Sequence, residues 1–289
     1  MSSHRLSFWV VAGMFACCCA NAAPATGEVK TVGVVKRVEV YKTVGDVQLR
    51  IHIYEKEGRD RSQPAPAIVF FFGGGWVGGA PSQFYNHCEH LASEGMVAMS
   101  AEYRVFKTHG TSPFECVQDG KSAIRWVRVN AERLGVDPHR VLTGGGSAGG
   151  HVAACTGVIE QHEEPGEDLD ISSVPDAMVL FNPVIDTTEK GYGASKLKGR
   201  ETEISPCHHV RPNLPPTLIF HGTADTTVPF ENIERFQRLM REAGNICEVM
   251  PFPGKAHGFF NWMRDPDNAS YLATIKGMDE FLVQRKILP

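Results

Sequence analysis

Gly144-Gly145-Gly146-Ser147-Ala148-Gly149-Gly150 is the stretch that most restricts how this chain can fold. It follows the short apolar run Arg140-Val141-Leu142-Thr143 and precedes a stretch that reads as a helix. A strand that turns sharply into a helix leaves one residue at the corner in a strained backbone conformation, with its side chain projecting from the sheet's edge. Here that residue is Ser147, and glycine at Gly145 and Gly149 leaves room for strand and helix to come close. The pattern alone is a weak signal, because any glycine-rich loop can contain it. The rest of the chain must supply the partners that a reactive serine needs.

Two later segments supply them. Residues 216–221 read as a buried strand, and the following loop, Gly222 to Pro229, places Asp225 just beyond its carboxyl end. Residues 247–252 read as another strand, followed by a loop that carries His257. Each of the three falls after a predicted strand, where open α/β sheets keep their sites. A serine hydroxyl is a poor nucleophile until an imidazole removes its proton, and the imidazole needs a carboxylate to hold its tautomer. Ser147 is therefore the candidate nucleophile, His257 the base and Asp225 the acid. Asp186 is the rival acid, with Asp225 preferred for its loop context. His221 and His151 are the rival bases, and both read instead as packed core histidines.

Acyl transfer also needs donors for a developing oxyanion. Residues 68–72 form an apolar strand, and Gly73-Gly74-Gly75-Trp76 after it can turn its amides inward, with the amide of Ala148 as the second donor set. Losing one such donor costs about 3 kcal/mol of transition-state stabilisation.

The remaining elements alternate. Residues 31–41 and 46–54 are predicted strands joined near Gly45, an antiparallel edge. A helix over 83–94, a strand over 96–101, a helix over 114–134, a strand over 177–181, and helices over 231–243 and 271–287 complete the pattern. Such alternation predicts an α/β fold, mostly a parallel sheet with helices on both faces. With 289 residues and 42% hydrophobic content, one domain over 23–289 is expected. A net charge of -4 gives no electrostatic case for nucleic acid or an anionic membrane as partner.

His4 and Arg5 precede an apolar run over residues 6–16 that is too short to span a bilayer, and Ala20-Asn21-Ala22 offers a small-residue cleavage site. Residues 1–22 thus read as a signal peptide, and the expected location is secreted or periplasmic, with lipoprotein anchoring through Cys17-Cys18-Cys19 ranked lower. Cleavage leaves Cys88, Cys116, Cys155, Cys207 and Cys247. Their pairing is not readable: two bridges with one thiol over, and buried unpaired thiols acting as small hydrophobes, both stay open. Cys207-His208-His209 is not read as a metal site, because adjacent residues on one loop rarely converge on one ion.

The glycine loop, the serine turn, His221-Gly222-Thr223-Ala224-Asp225, His257-Gly258-Phe259, Glu102-Tyr103-Arg104, the segment Asp119 to Val127 and Val136-Asp137-Pro138-His139-Arg140 together make most of the chain resemble a known family. It is similar to the esterase/lipase branch of the α/β-hydrolase fold, near the hormone-sensitive-lipase-like and bacterial carbohydrate-esterase groups. The resemblance implies the Ser, Asp, His chain order and the amides of Gly74 and Gly75 as oxyanion donors beside Ala148, with Gly73 as an alternative. It also implies that Arg104 and Asp119 pair structurally. Phe72 stands where the family usually has histidine, and Gly146 where an acidic residue is common.

The expected function is that of a secreted serine carboxylic-ester hydrolase working through an acyl-enzyme with no cofactor and no metal. Residues 76–87 and 186–213 are expected to shape the pocket, their length suggesting a small loop-type lid, with Trp76, Phe84, Tyr85 and Tyr192 as candidate pocket residues. No large cap is evident, which suits a short acyl group on a bulky alcohol, carbohydrate included. The alternatives are a prolyl-oligopeptidase-like peptidase and a catalytically silent binding protein that kept the fold.

Overall fold

The computed structural model describes Met1 and residues 33–288. The signal-peptide reading of residues 1–22 and the first two residues of the predicted opening strand lie outside the described residues. In chain order the elements are β1 (Val34–Val44), β2 (Val47–Lys56), β3 (Ala65–Phe71), α1 (Tyr85–Ser93), β4 (Val97–Ala101), α2 (Phe106–His109), α3 (Pro113–Val129) and α4 (Ala131–Leu134). Then follow β5 (Val136–Gly146), α5 (Ala148–Val158), β6 (Met178–Phe181), β7 (Thr217–Gly222), α6 (Phe230–Glu242), β8 (Cys247–Phe252) and α7 (Ala269–Gln284).

The eight strands form one sheet in the order β1-β2-β4-β3-β5-β6-β7-β8. The β1–β2 hairpin is antiparallel and joins β4 antiparallel, while every pairing from β4 to β8 is parallel. β3, β4, β6 and β7 are buried along their whole length, as strands covered on both faces must be. The two-residue period of β3 divides the core: Val69 and Phe71 belong to one cluster with residues of α3, α5 and α6, and Ile68 and Phe70 to another with residues of α1 and α7. This is the α/β-hydrolase architecture, with the carboxyl ends of β5, β7 and β8 opening on one side.

The helix predicted over 114–134 is two helices. It starts one residue earlier on a capping box, Ser112 with Glu115 and Pro113 at the first turn. It stops at Asn130, whose Nδ2 donates to the Trp126 carbonyl at 2.9 Å, and the short α4 then ends on Gly135 at φ 60°. Asparagine competes with the helix by bonding the local backbone, which the apolar periodicity does not register.

Arg104 and Asp119 meet as expected, at 2.8 Å, within a larger buried cluster. Lys42 of β1 reaches the same carboxylate at 2.7 Å, and Glu164 accepts from both Lys42 and Arg104 at 2.7 and 2.6 Å. The cluster ties the edge hairpin, α3 and the loop after α5 together. The five described cysteines are free and buried, which selects the small-hydrophobe reading over bridges.

Candidate active site

β5 ends at Gly146 and α5 begins at Ala148, so Ser147 alone makes the corner, at φ 54° and ψ -119°. Such backbone costs about 1–3 kcal/mol and persists only when its surroundings over-determine it. Here the Ser147 amide donates to the Phe181 carbonyl at 2.9 Å, and the Ser147 carbonyl accepts from the amides of His151 and Val184 at 3.0 and 3.2 Å. The helix also lies very close to the sheet. A Cβ on Gly149 would fall 2.1 Å from the Phe71 carbonyl oxygen, and one on Gly145 would fall 2.4 Å from the Gly149 oxygen.

His257, on the loop after β8, bridges the other two. Its Nε2 lies 2.8 Å from Ser147 Oγ and its Nδ1 lies 2.7 Å from Asp225 Oδ2. The other carboxylate oxygen, Oδ1, accepts from the amides of Thr227 and Val228 at 2.9 Å each. Burial pushes the Asp225 carboxyl up, but hydrogen bonds from His221, His257 and the Val228 amide outweigh it and hold the group well below the usual carboxylate range. Asp225 is therefore an anion throughout the neutral range, aimed at the ring nitrogen of His257 that faces away from the serine.

The rivals sit elsewhere. His221 is fully buried, its Nε2 shared between the Val228 carbonyl at 2.9 Å and Asp225 at 3.3 Å, so it backs the acid and does not reach the serine. His151 bonds the Ile204 carbonyl at 2.7 Å, and burial pushes it down to about 4. Asp186 pairs with Arg235 at 2.6 Å and accepts from the Thr188 amide and hydroxyl. Cys207, His208 and His209 diverge: the thiol is buried, while the two rings turn to Ser205 Oγ and to the Thr202 carbonyl.

The glycine loop leaves β3 beside the serine. At Gly74 φ is 126° and a Cβ would lie 2.0 Å from the Gly78 oxygen, so only glycine makes this turn. The Gly73 amide is already engaged, donating to Gln83 Oε1 at 2.6 Å. Gly74 and Gly75 line the cavity with Ser147, and the amide of Ala148 is among the unpaired donors that open α5. Phe72 stacks on Tyr103 with ring centroids 4.3 Å apart, and Tyr103 Oη donates to the Phe72 carbonyl at 2.6 Å. Aromatic packing thus holds the strand end at the position where a histidine was expected.

Three amide side chains that the sequence reading missed brace the two loops, and the bond from Gln83 to Asn261 joins them. Gln83 Nε2 donates to Asn261 Oδ1 at 2.9 Å, Asn261 Nδ2 donates to the Gly258 carbonyl at 2.8 Å, and the Gly258 amide donates to Asn182 Oδ1 at 2.9 Å. The glycine loop and the histidine loop are therefore fixed to each other by side chains. Their cavity, about 310 Å³, also has Tyr192 and Thr227 in its wall. Tyr192 shapes it as expected, but Phe84 and Tyr85 do not. Phe84 is buried and stacked on Phe70 at 4.8 Å, and Tyr85 turns to His52. The segment 186–213 is no loose flap, since it is pinned by Asp186–Arg235, by Asn232 to the Lys190 carbonyl and by buried Leu197 and Ile204.

Comparison with known proteins gives the family of the chain. The BD-FAE family model matches residues 51–198, about half of the chain, and the dienelactone hydrolase family model matches residues 181–281. Thermogutta terrifontis esterase 2 in its apo form is 49% identical, with 88% of this chain and 96% of that chain covered and a TM-score of 0.85. The chain belongs to the α/β-hydrolase esterase family. Other structures of esterase 2 similar to this family member show it phosphorylated by paraoxon (49% identity, 88% and 95% covered, TM-score 0.84) and bound to butyrate (48%, 88% and 95%, 0.83). The esterase LipC of Mycobacterium tuberculosis is 30% identical over 220 residues, 68% of this chain and 54% of its own length. This α/β-hydrolase chain spans about half the length of the curated relatives it matches first.

Proposed function

We propose that this chain is a serine carboxylic-ester hydrolase that works through an acyl-enzyme on esters of short acyl groups, carbohydrate esters included. The observation that carries the reading is the unbroken line from Asp225 through His257 to Ser147, at 2.7 and 2.8 Å, beside the glycine loop. His257 takes the serine proton as Oγ attacks the ester carbonyl, and Asp225 stabilises the imidazolium that results. The amides of Gly74, Gly75 and Ala148 hold the negative charge on the former carbonyl oxygen. His257 then protonates the departing alcohol, and water, deprotonated by the same ring, releases the acid. A butyrate-bound form of esterase 2 and a cavity of about 310 Å³ favour short acyl chains.

Hydrolysis of p-nitrophenyl acetate, butyrate and octanoate by the wild type and by Ser147→Ala tests the reading. A fall of about 10⁴-fold or more in the variant, with octanoate slowest in the wild type, is expected. Paraoxon should stop the wild type and leave a phosphoryl adduct on Ser147. An active Ser147→Ala protein would overturn the assignment. Export is proposed on residues 1–22 alone, and a mature protein whose N-terminus is not residue 23 would count against it.

A further inference from the structure

A second cavity, about 430 Å³, shares no lining residue with the catalytic one. Trp76, Val77, Phe106 and Pro113 give it an apolar wall, and Lys196 and Lys198 supply its cations. A few polar groups on a mostly apolar lining of this volume are the ordinary make-up of a small-molecule site. The backbone of the wall is pinned, because the amides of Phe106 and Lys107 donate to the carbonyls of Trp76 and Val77 at 3.0 and 2.9 Å. The cavity is open to solvent beside Phe106 and Val77, which are 62% and 39% exposed.

Its polar inventory is one-sided. Lys196 Nζ donates to Tyr192 Oη at 3.3 Å and rests against the rings of Tyr192 and Trp76 at 4.6 and 5.6 Å, contacts that leave its charge unneutralised. Among the described residues neither Lys196 nor Lys198 lies within ion-pair distance of a carboxylate, and no acidic residue lines the cavity. Glu115, in the first turn of the adjoining α3, is taken up by the Ser112 amide and hydroxyl at 2.8 and 2.6 Å. Two further polar atoms of the lining residues, Trp76 Nε1 and Thr111 Oγ1, have no hydrogen-bond partner among the described residues. An apolar wall with donors, cations and no negative charge complements an apolar body ending in an acceptor-only anion.

We propose that this cavity is a binding site, separate from the catalytic one, for a small apolar carboxylate. The body of the ligand lies against Val77, Phe106 and Pro113, and its carboxylate meets the ammonium of Lys196, with Lys198 adding positive charge. Because the two cavities are distinct, the acid and an ester are held at the same time. Lys196 is the point of contact between them, since its ammonium also bonds Tyr192 in the catalytic wall. The site itself does not depend on the chemistry at Ser147.

The test is calorimetric titration of 2-naphthoate and of its neutral analogue 2-naphthamide into the wild type, before and after treatment with paraoxon. The carboxylate should bind about tenfold tighter than the amide at low salt, lose that advantage as salt is raised, and bind the treated protein equally well. Phe106→Glu places a negative charge at the exposed rim of this cavity alone, and it should weaken 2-naphthoate about tenfold or more while kcat on p-nitrophenyl acetate stays within about threefold of the wild type. Lys196→Met should weaken it about tenfold, and Lys196→Arg should restore most of the loss. No binding by the wild type at millimolar 2-naphthoate, an unchanged affinity in Phe106→Glu, or loss of binding after paraoxon would overturn the proposal. If paraoxon leaves no adduct on Ser147, it is the serine-hydrolase reading that has failed, and the Phe106→Glu and Lys196→Met affinities still decide the site.

Discussion

Gln83 holds the Gly73 amide at 2.6 Å with one end of its side chain and Asn261 at 2.9 Å with the other, so a single residue links the glycine loop to the loop of His257. Gly73 is thereby removed from the set of oxyanion donors, and its neighbours are held against the serine. Gln83→Leu would leave the part-buried Gly73 donor unpaired, at about 1–3 kcal/mol, and let the loop drift. On p-nitrophenyl butyrate kcat should fall about tenfold or more with KM nearly unchanged, because the lost contact acts on the transition state. Gln83→Glu keeps the acceptor for Gly73 and loses the donor to Asn261, so its kcat should fall less.

Asp225 and Asp186 are both buried carboxylates beyond strand ends, and they separate in their partners. Asp225→Asn presents His257 with the wrong tautomer, and kcat should drop about 10⁴-fold while the fold is kept. Asp186→Asn breaks the contact with Arg235, which is 32% exposed. About 1–2 kcal/mol of stability should be lost by urea denaturation, with kcat within about threefold of the wild type.

Asp119 receives Arg104 and Lys42 in a site closed to solvent. Asp119→Ala leaves Glu164 as the one carboxylate for both cations, and breaking the buried contacts to Asp119 costs up to about 3–5 kcal/mol. The expected result is a lower urea midpoint with an unchanged m-value, or failure to accumulate soluble protein.

His87 lies in an aromatic cage of Phe70, Phe84, Phe181, Phe260 and Tyr271, and burial pushes it down to about 3. The ring stays neutral in the fold, whereas in the unfolded chain it charges near pH 6.5. Below that pH the unfolded state binds a proton that the native state refuses, so stability falls by about 1.4 kcal/mol per pH unit until the folded value is reached. His87→Phe should remove that slope, and urea midpoints at pH 6.5 and 4.5 should lie closer together in the variant than in the wild type.

Ser147, Asp225 and His257 were visible in the sequence because each stands in a short loop directly after an apolar strand, and the chemistry of each names its role. Strand period and alternation likewise revealed the sheet. Gln83 and Asn261 were invisible for a physical reason: they are 178 residues apart, and an amide side chain on a loop carries no periodic mark. The break at Asn130 escaped because the apolar stripe continues across it while the backbone does not. Tyr192 was expected in the wall from the length of its segment, but its partnership with Lys196 depends on how that segment packs.

The five described thiols take part in no bridge and all are buried. Burial pushes those of Cys207 and Cys247 up to about 12, which keeps them from forming thiolates. These positions therefore make the fold indifferent to the redox state of its surroundings. Dithiothreitol and glutathione should leave its melting temperature unmoved, because no bridge among these five positions has to form or survive for the fold to hold.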